Sequence, residues 1–244
     1  KIIIGLQPQK IIAFIGIYRN YNEKSTSSKK QIKYNIPYEN FNFNMKILLA
    51  TTNKGKIAEF KNILNSHKDL EILTLDNFNI CEDVEEVGNS FEQNSILKAN
   101  FYNKIAKIPT IAEDSGLEIK ALNNEPGIYS ARYGGINITD KDRVDLILDK
   151  MKHIEQKLRV AKFVSVICSV GFNKDFFLSK GILLGEIYHK AEGKNGFGYD
   201  PIFFIPKKNK TLAMMTEEQK NKISHRRLAI EKFLDDYYKN KKTQ

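Results

Sequence analysis

Tryptophan is absent from this 244-residue chain, and only two cysteines occur, Cys81 and Cys168. Neither has a cysteine or histidine partner at metal-ligand spacing, which argues against a disulfide scaffold or a structural zinc module. A reducing, cytoplasmic location fits that usage. No apolar run approaches the roughly 20 residues that a membrane-spanning helix needs, so no membrane partner is expected. Internal repeats are also lacking.

Positive charge is plentiful. The formal net charge is +10, which raises nucleic acid or another polyanion as a partner. Half of that surplus falls in residues 1–44, and the remainder suits an enzyme of phosphorylated metabolites equally well. No recognised nucleic-acid-binding motif appears, so a stable nucleic-acid partner is not expected. Residues 20–44 are rich in Asn, Lys, Ser and Tyr without a regular period, and Ile11–Tyr18 is a short apolar run with no cleavage site after it. Met45 directly precedes the first strong strand. The chain therefore reads as an N-terminal extension, residues 1–44, disordered or non-essential, followed by one domain over residues 45–244.

The stretch Thr110–Tyr133 organises the rest. Ile111 and Ala112 run into two adjacent carboxylates, Glu113 and Asp114, then Ser115-Gly116, and the strand pattern resumes at Leu117 and Ile119. Acidic pairs are rare inside a strand, because one of the two must normally face the core. Ser-Gly after them suggests a bulge or a close backbone approach beside a site. Alternation sends Glu113 and Asp114 to opposite faces, so only one of the two is expected at the site.

Upstream, Met45–Thr51 reads as a strand, Asn53–Gly55 as a turn and Lys56–Asn65 as a helix burying Ile57, Phe60, Ile63 and Leu64. A strand, a turn and a helix N-terminus make a phosphate seat, with Lys56 as a cation beside it. Glu71–Leu75 is a second strand. Ser90 and Gln93 form a capping box for a helix to Lys107 with an apolar stripe of Phe91, Phe101, Tyr102 and Ile105. Lys98 falls in the middle of that stripe, either snorkelling or serving a site. Thr139 caps a helix to about Gln156, and Ala161–Phe172 and Phe176–Lys190 are strands joined by a hairpin turn at Asn173–Asp175. Gly193–Pro201 is a glycine-rich loop in which Phe197 and Tyr199 offer flat faces for a base. Ile202–Ile205 is a further strand. Thr216 and Gln219 begin a single helix to about Lys239 that carries Ser224-His225-Arg226.

Five of these segments recur together, in order, in one family. They are Thr51-Thr-Asn-Lys-Gly-Lys56, Glu85-Glu-Val-Gly88 leading to Lys98, the central stretch through Tyr133, Phe197–Phe204, and Ser224-His-Arg226. Over about Met45 to Tyr238 the chain resembles the inosine triphosphate pyrophosphatases, or non-canonical purine NTP pyrophosphatases. That family usually has Gly where Thr52 stands and Glu where Gln93 stands. Gln serves a capping box as well as Glu, so the second change reads as structural.

The resemblance implies an elongated, two-lobed α/β fold with a long central mixed β-sheet flanked by helices, and a homodimer. It implies Mg²⁺-dependent hydrolysis of ITP, dITP and XTP to the monophosphate and pyrophosphate. Residue by residue, it implies that Thr51, Thr52, Asn53, Lys54, Gly55 and Lys56 hold the phosphates. Asp114 would accept a proton and ligate metal, with Glu85 or Glu86 completing the metal site and Lys98 facing the phosphates. Ser115, Phe197, Gly198, Tyr199, Asp200, Lys220, His225 and Arg226 would contact substrate. Two alternatives stand beside this: a pyrophosphatase for modified pyrimidine triphosphates, and a non-catalytic nucleic-acid-binding protein.

Overall fold

The computed structural model describes residues 44–135, 137–172 and 176–242. The expectations for residues 1–43 and for the turn at Asn173–Asp175 therefore lie outside the described residues. Eight strands form one mixed sheet: β1 (Met45–Leu49), β2 (Leu70–Thr74), β3 (Thr110–Ile119), β4 (Glu125–Pro126), β5 (Val160–Val170), β6 (Phe176–Ile187), β7 (Phe203–Ile205) and β8 (Lys210–Thr211). Their order is β2-β1-β3-β5-β6-β7-β8, with β4 added to β3. β1 runs parallel to β2 and to β3. The crossovers between these strands carry α1 (Lys54–Leu64) and α2 (Phe91–Ala106). From β3 onward every pairing is antiparallel. This is the flanked mixed sheet that the family resemblance implies.

Burial explains the layering. Apart from Lys162, β5 is apolar or small on both faces and is buried nearly throughout, as a central strand must be. One face packs on α1 and on α5 (His225–Lys242), where Phe60, Ile63 and Leu64 meet Ile230 and Phe233. The other packs on α2, where Ala99 and Tyr102 meet Leu48, Ala112 and Cys168. A further core lies under α3 (Asp140–Met151), where Val144, Ile147 and Met151 meet Leu117, Ile119 and Phe203. Among the described residues no helix is long and apolar enough to cross a membrane.

Three expectations need correction and one is narrowed. Of the two readings of Ser115-Gly116 the bulge is excluded, because β3 and β5 keep one unbroken register from Thr110–Val170 to Ile119–Ala161. Gly116 instead serves a close approach: a methyl there would collide with the Gly127 carbonyl and the Ser130 hydroxyl. The buried face of α2 is Phe91, Asn94, Ser95, Ala99 and Tyr102, while Ile105 is exposed, because the helix turns polar groups toward the cleft described below. Gln93 Oε1 accepts from the Asn89 amide at 2.7 Å rather than closing on Ser90. Finally, the C-terminal helix is two helices, α4 (Glu217–Asn221) and α5. Ser224 breaks it by acting as a new cap, its Oγ accepting from the Arg227 amide at 3.0 Å and its carbonyl from the Leu228 amide at 3.1 Å. His225 and Arg226 thereby begin a helix instead of lying along one.

The first turn of α5 is seated by β6. A side chain at Gly181 would strike the His225 carbonyl and the Ala229 amide. Gly181→Ala is therefore expected to cost about 1–3 kcal/mol through overpacking, read as a lower midpoint in denaturant unfolding. An unchanged midpoint would show that this contact does not set the helix.

Candidate active site

The cleft begins with a gap in the sheet. β1 pairs with β3 only at Thr110 and Ile111, and β4 takes up the same edge at Glu118 and Ile119. Between them the β3 edge opens onto a cavity of about 580 Å³, bordered by Ala50–Asn53 at the end of β1 and by Asp114–Gly116. Binding at the carboxyl end of a parallel strand, where neighbouring connections diverge, is the general habit of α/β sheets.

On the β1 side, Asn53 caps α1, its Oδ1 accepting from the Lys56 amide at 3.0 Å, and Thr51 Oγ1 accepts from the Asn53 amide at 3.2 Å. Thr52 is not among the residues with left-handed backbone, so the loop's path is open to a residue with a side chain. Thr51, Thr52, Asn53 and Lys56 border the cavity. Lys54 is exposed, and Gly55 lies under the Phe197 ring, where a Cβ would come within 2.7 Å.

On the α2 side, Asp114 Oδ2 accepts from Asn94 Nδ2 at 3.1 Å, and Lys98 Nζ stands 3.6 Å from Asp114 Oδ1. Lys98 also binds Glu86 Oε1 at 2.5 Å, and Arg132 reaches Glu86 Oε2 at 3.3 Å. Lys98 thus lies between two carboxylates and does not snorkel along an apolar face. Burial pushes the Asp114 carboxyl above its ordinary value, and Lys98 and Lys56 offset this only in part. Burial also acts on Glu86, but Lys98, Arg132 and Lys56 together outweigh it and that carboxyl lies below the usual range. Glu85 is exposed and Glu86 half-buried. Among the described residues no three metal-ligating side chains converge on one point. Two facing carboxylates beside an open cavity nevertheless suit a hard divalent cation that completes its shell with phosphate oxygens.

Behind the opposite wall lies a buried ionic network. Glu113, on the other face of β3, accepts from Arg226 Nε at 2.9 Å and Nη2 at 3.1 Å, from Ser165 Oγ at 2.5 Å, and faces Lys56 Nζ at 3.2 Å. Arg226 also binds Glu59 on α1 and Ser115 Oγ. Lys220 on α4 bridges Glu59 Oε1 at 2.7 Å and Asp200 Oδ2 at 2.5 Å. Burial would raise the Glu113 carboxyl, but Arg226 and Lys56 hold it far below its ordinary value. Arg226 uses four of its five N–H donors on these partners, which leaves one for a ligand.

The remaining wall comes from the Gly193–Pro201 loop. Phe197 is half-buried, with Lys220 Nζ 4.5 Å from its ring centroid. Tyr199 turns inward instead, packing in the core and donating to the Ser130 carbonyl at 2.8 Å. Gly198 and Asp200 border the cavity, as do Ser115, Lys220, His225 and Arg226. His225 stacks on Phe163 at 4.7 Å, its Nδ1 has no partner, and burial holds it neutral, well below its ordinary pKa. Apart from Lys54 and Gly55, the structure brings every expected site residue to this one cavity.

Sequence reasoning missed Glu59, Asn94, Arg132 and Ser165. Glu59 stands beside Phe60 at the margin of the buried stripe of α1, and nothing local marks it as buried. Asn94 carried a usable signal: it follows the capping residues on a helix face that must pack, so its amide needed a partner.

A family model described as the Ham1 family matches residues 47–236. A protein of Staphylococcus aureus strain MRSA252 named dITP/XTP pyrophosphatase is 45% identical over 184 residues, covering 75% of this chain and 92% of its own. One of the same name from Dictyoglomus thermophilum is 43% identical over 201 residues, covering 80% of this chain and 97% of its own. The solved structure of the Staphylococcus aureus Ham1 protein is 43% identical, with a TM-score of 0.71 over 80% of this chain and 99% of that one. On the family match and on relatives this similar over nearly their full length, the chain belongs to the Ham1 family.

Proposed function

We propose that the chain hydrolyses non-canonical purine nucleoside triphosphates, ITP, dITP and XTP, to the monophosphate and pyrophosphate. One observation carries the reading: a buried carboxylate with a raised pKa, two lysines, a helix N-terminus and a base-sized aromatic wall meet in one cavity. The name of the relatives, dITP/XTP pyrophosphatase, supports dITP and XTP among these substrates.

Thr51, Asn53 and the first turn of α1 seat the phosphates, where unpaired amides and the helix dipole favour anions. Lys56 and Lys98 compensate charge that grows on the departing pyrophosphate. Asp114, oriented by Asn94, accepts a proton from the attacking water. Glu86 and Asp114 would hold Mg²⁺, which when bound neutralises the triphosphate and polarises the bond to be broken. Hypoxanthine and xanthine present a 6-oxo acceptor where adenine presents a donor, and His225 and Arg226 can supply the matching donors. Pyrophosphate release measured across a panel of purine and modified pyrimidine triphosphates, with and without Mg²⁺, tests the reading. A preference for canonical ATP or for pyrimidines would reject it.

Asp114→Asn keeps the shape and removes the base, so kcat should fall by at least about 100-fold while nucleotide binding, measured by calorimetry, survives. Near-normal turnover at saturating Mg²⁺ would remove Asp114 from the reaction. Lys98→Met leaves Glu86 and Asp114 without the cation between them. Its Tm should fall in metal-free buffer and recover as Mg²⁺ is added, while kcat stays down by at least about 30-fold. Unchanged kinetics would leave Lys56 as the main phosphate cation.

Glu113→Gln strands buried Arg226, at an expected cost of about 3–5 kcal/mol at neutral pH. The pH dependence has a definite sign. The folded pKa of Glu113 is depressed, so its stabilisation is present above the ordinary glutamate value of 4.5 and is lost as pH falls toward the folded value. Urea unfolding should therefore show a gap between wild type and variant that narrows only below about pH 4.5. A constant gap down to lower pH would mean that the glutamate's charge is not the source.

A further inference from the structure

Asp140 borders the cavity, and the proposed reaction makes no use of it. It opens α3, yet capping does not need it. Thr139 is the cap: its Oγ1 accepts from the Asp142 amide at 3.2 Å, and Asp142 Oδ2 accepts from the Thr139 amide at 2.8 Å. With the cap already reciprocated, the Asp140 carboxylate can serve another element. Arg143, one turn on, fixes its direction. Arg143 Nη2 donates to Asp140 Oδ1 at 2.6 Å, and Nη1 donates to the Ile138 carbonyl at 2.9 Å. The other oxygen, Asp140 Oδ2, accepts from the Gly198 amide at 2.9 Å. Burial would raise the Asp140 carboxyl, but the bonds from Arg143 and Gly198 hold it below its ordinary value.

Gly198 belongs to the turn that carries Phe197. That turn has two inner attachments. The Phe197 amide donates to Asp200 Oδ2 at 2.9 Å, with Asp200 held in turn by Lys220, and Tyr199 donates to the Ser130 carbonyl. Gly198 lies between them with φ of +59°, and its amide goes to α3 instead. Of the three ties, the one to α3 is exposed. α3 is itself seated in the core by Val144, Ile147 and Met151. A carboxylate fixed on a seated helix is a firm reference for a loop that lines a site.

We infer that Asp140 is a positioning residue for base recognition: through the Gly198 amide it sets where the Phe197 ring stands. This rests on the proposed role of Phe197 as the wall for the base. An exposed hydrogen bond adds little to stability, because water replaces it, but the ring that this one places is the face on which a base stacks. Asp114 is held from α2 by Asn94 and Lys98, so the reacting end of the cleft does not depend on α3.

The test pairs kinetics with fluorescence. Asp140→Ala should raise KM for ITP about 3- to 10-fold, the size of one lost hydrogen bond, with kcat within about twofold. Asp140→Asn keeps an acceptor for the Gly198 amide and should recover most of that KM. Asp142→Ala, which breaks the capping box instead, should lower Tm more than Asp140→Ala does and leave KM unchanged. The chain has no tryptophan, so Phe197→Trp supplies a single reporter on the turn itself. In the nucleotide-free protein its anisotropy should fall when Asp140→Ala is added. An active enzyme whose KM and anisotropy both ignore Asp140→Ala would overturn the inference and leave the proposed function standing. An inactive wild type whose anisotropy falls would reject the proposed function and uphold the tie from Asp140 to the turn. A loss of kcat as large as the rise in KM, a rise in KM without a fall in anisotropy, or no recovery in Asp140→Asn would equally overturn the inference.

Discussion

The ion pair between Glu113 and Arg226 is the constraint on which the other parts depend. Neither group is exposed, and each would be costly alone in the interior. Their mutual attraction suffices only because further partners occupy the remaining lone pairs and protons. Those partners come from separate elements: Ser165 from β5, Lys56 and Glu59 from α1, and, through Glu59, Lys220 from α4. A buried network of this kind is weak evidence for stability. Its consequence here is geometric, because α1, α4 and α5 cannot shift independently without leaving a charge unpaired. The end of the cleft at the N-terminus of α1 is thus held in register with the end at the N-terminus of α5.

The second constraint is the gap between β1 and β4. A sheet continuous along that edge of β3 would bury both faces and leave no cavity. Because β1 departs after Ile111, side chains from both faces of β3 reach the same opening. Alternation along the strand is fully obeyed, with Glu113 on the face of Ile111 and Ile167 and Asp114 on the face of Ala112. Yet both carboxylates belong to one functional unit, Asp114 directly and Glu113 through Lys56 and Arg226.

Most of the fold was legible because the strands and helices have strong periods and clear caps. Ser90, Thr139 and Thr216 each accept from the expected amide. Two features were not legible for physical reasons. The break between α4 and α5 rests on Ser224, and serine is both a tolerable helix residue and a good cap. Tertiary contacts, the ion pairs of Arg226 with Glu113 and Glu59 and the seat of the first turn on Gly181, favour the cap conformation. The inward turn of Tyr199 is similar: in sequence it matches Phe197 as an aromatic in a glycine-rich loop, and the acceptor that draws it in, the Ser130 carbonyl, is 69 residues away. For the cleft, the motifs shared with the family named its polar residues at both ends but not Arg132, Arg143 or Phe163 on its walls, and they could not reveal Glu59 or Ser165, which act only across long sequence separations.

The adjacent carboxylates show how one strand can serve two kinds of chemistry. Glu113 meets two cations and a hydroxyl, so burial strengthens its attachments and its proton is lost far below neutrality. Asp114 is also desolvated, but Lys98, Lys56 and the Asn94 amide offset this only in part against the like charge of Glu86, so burial prevails and its proton affinity rises. Environments that push neighbouring pKa values apart separate a structural anion from a group able to accept and release a proton. The difference follows from the partners that each face of β3 finds, not from any difference between glutamate and aspartate. An exchange of the two side-chain types would leave the assignment of roles with the faces.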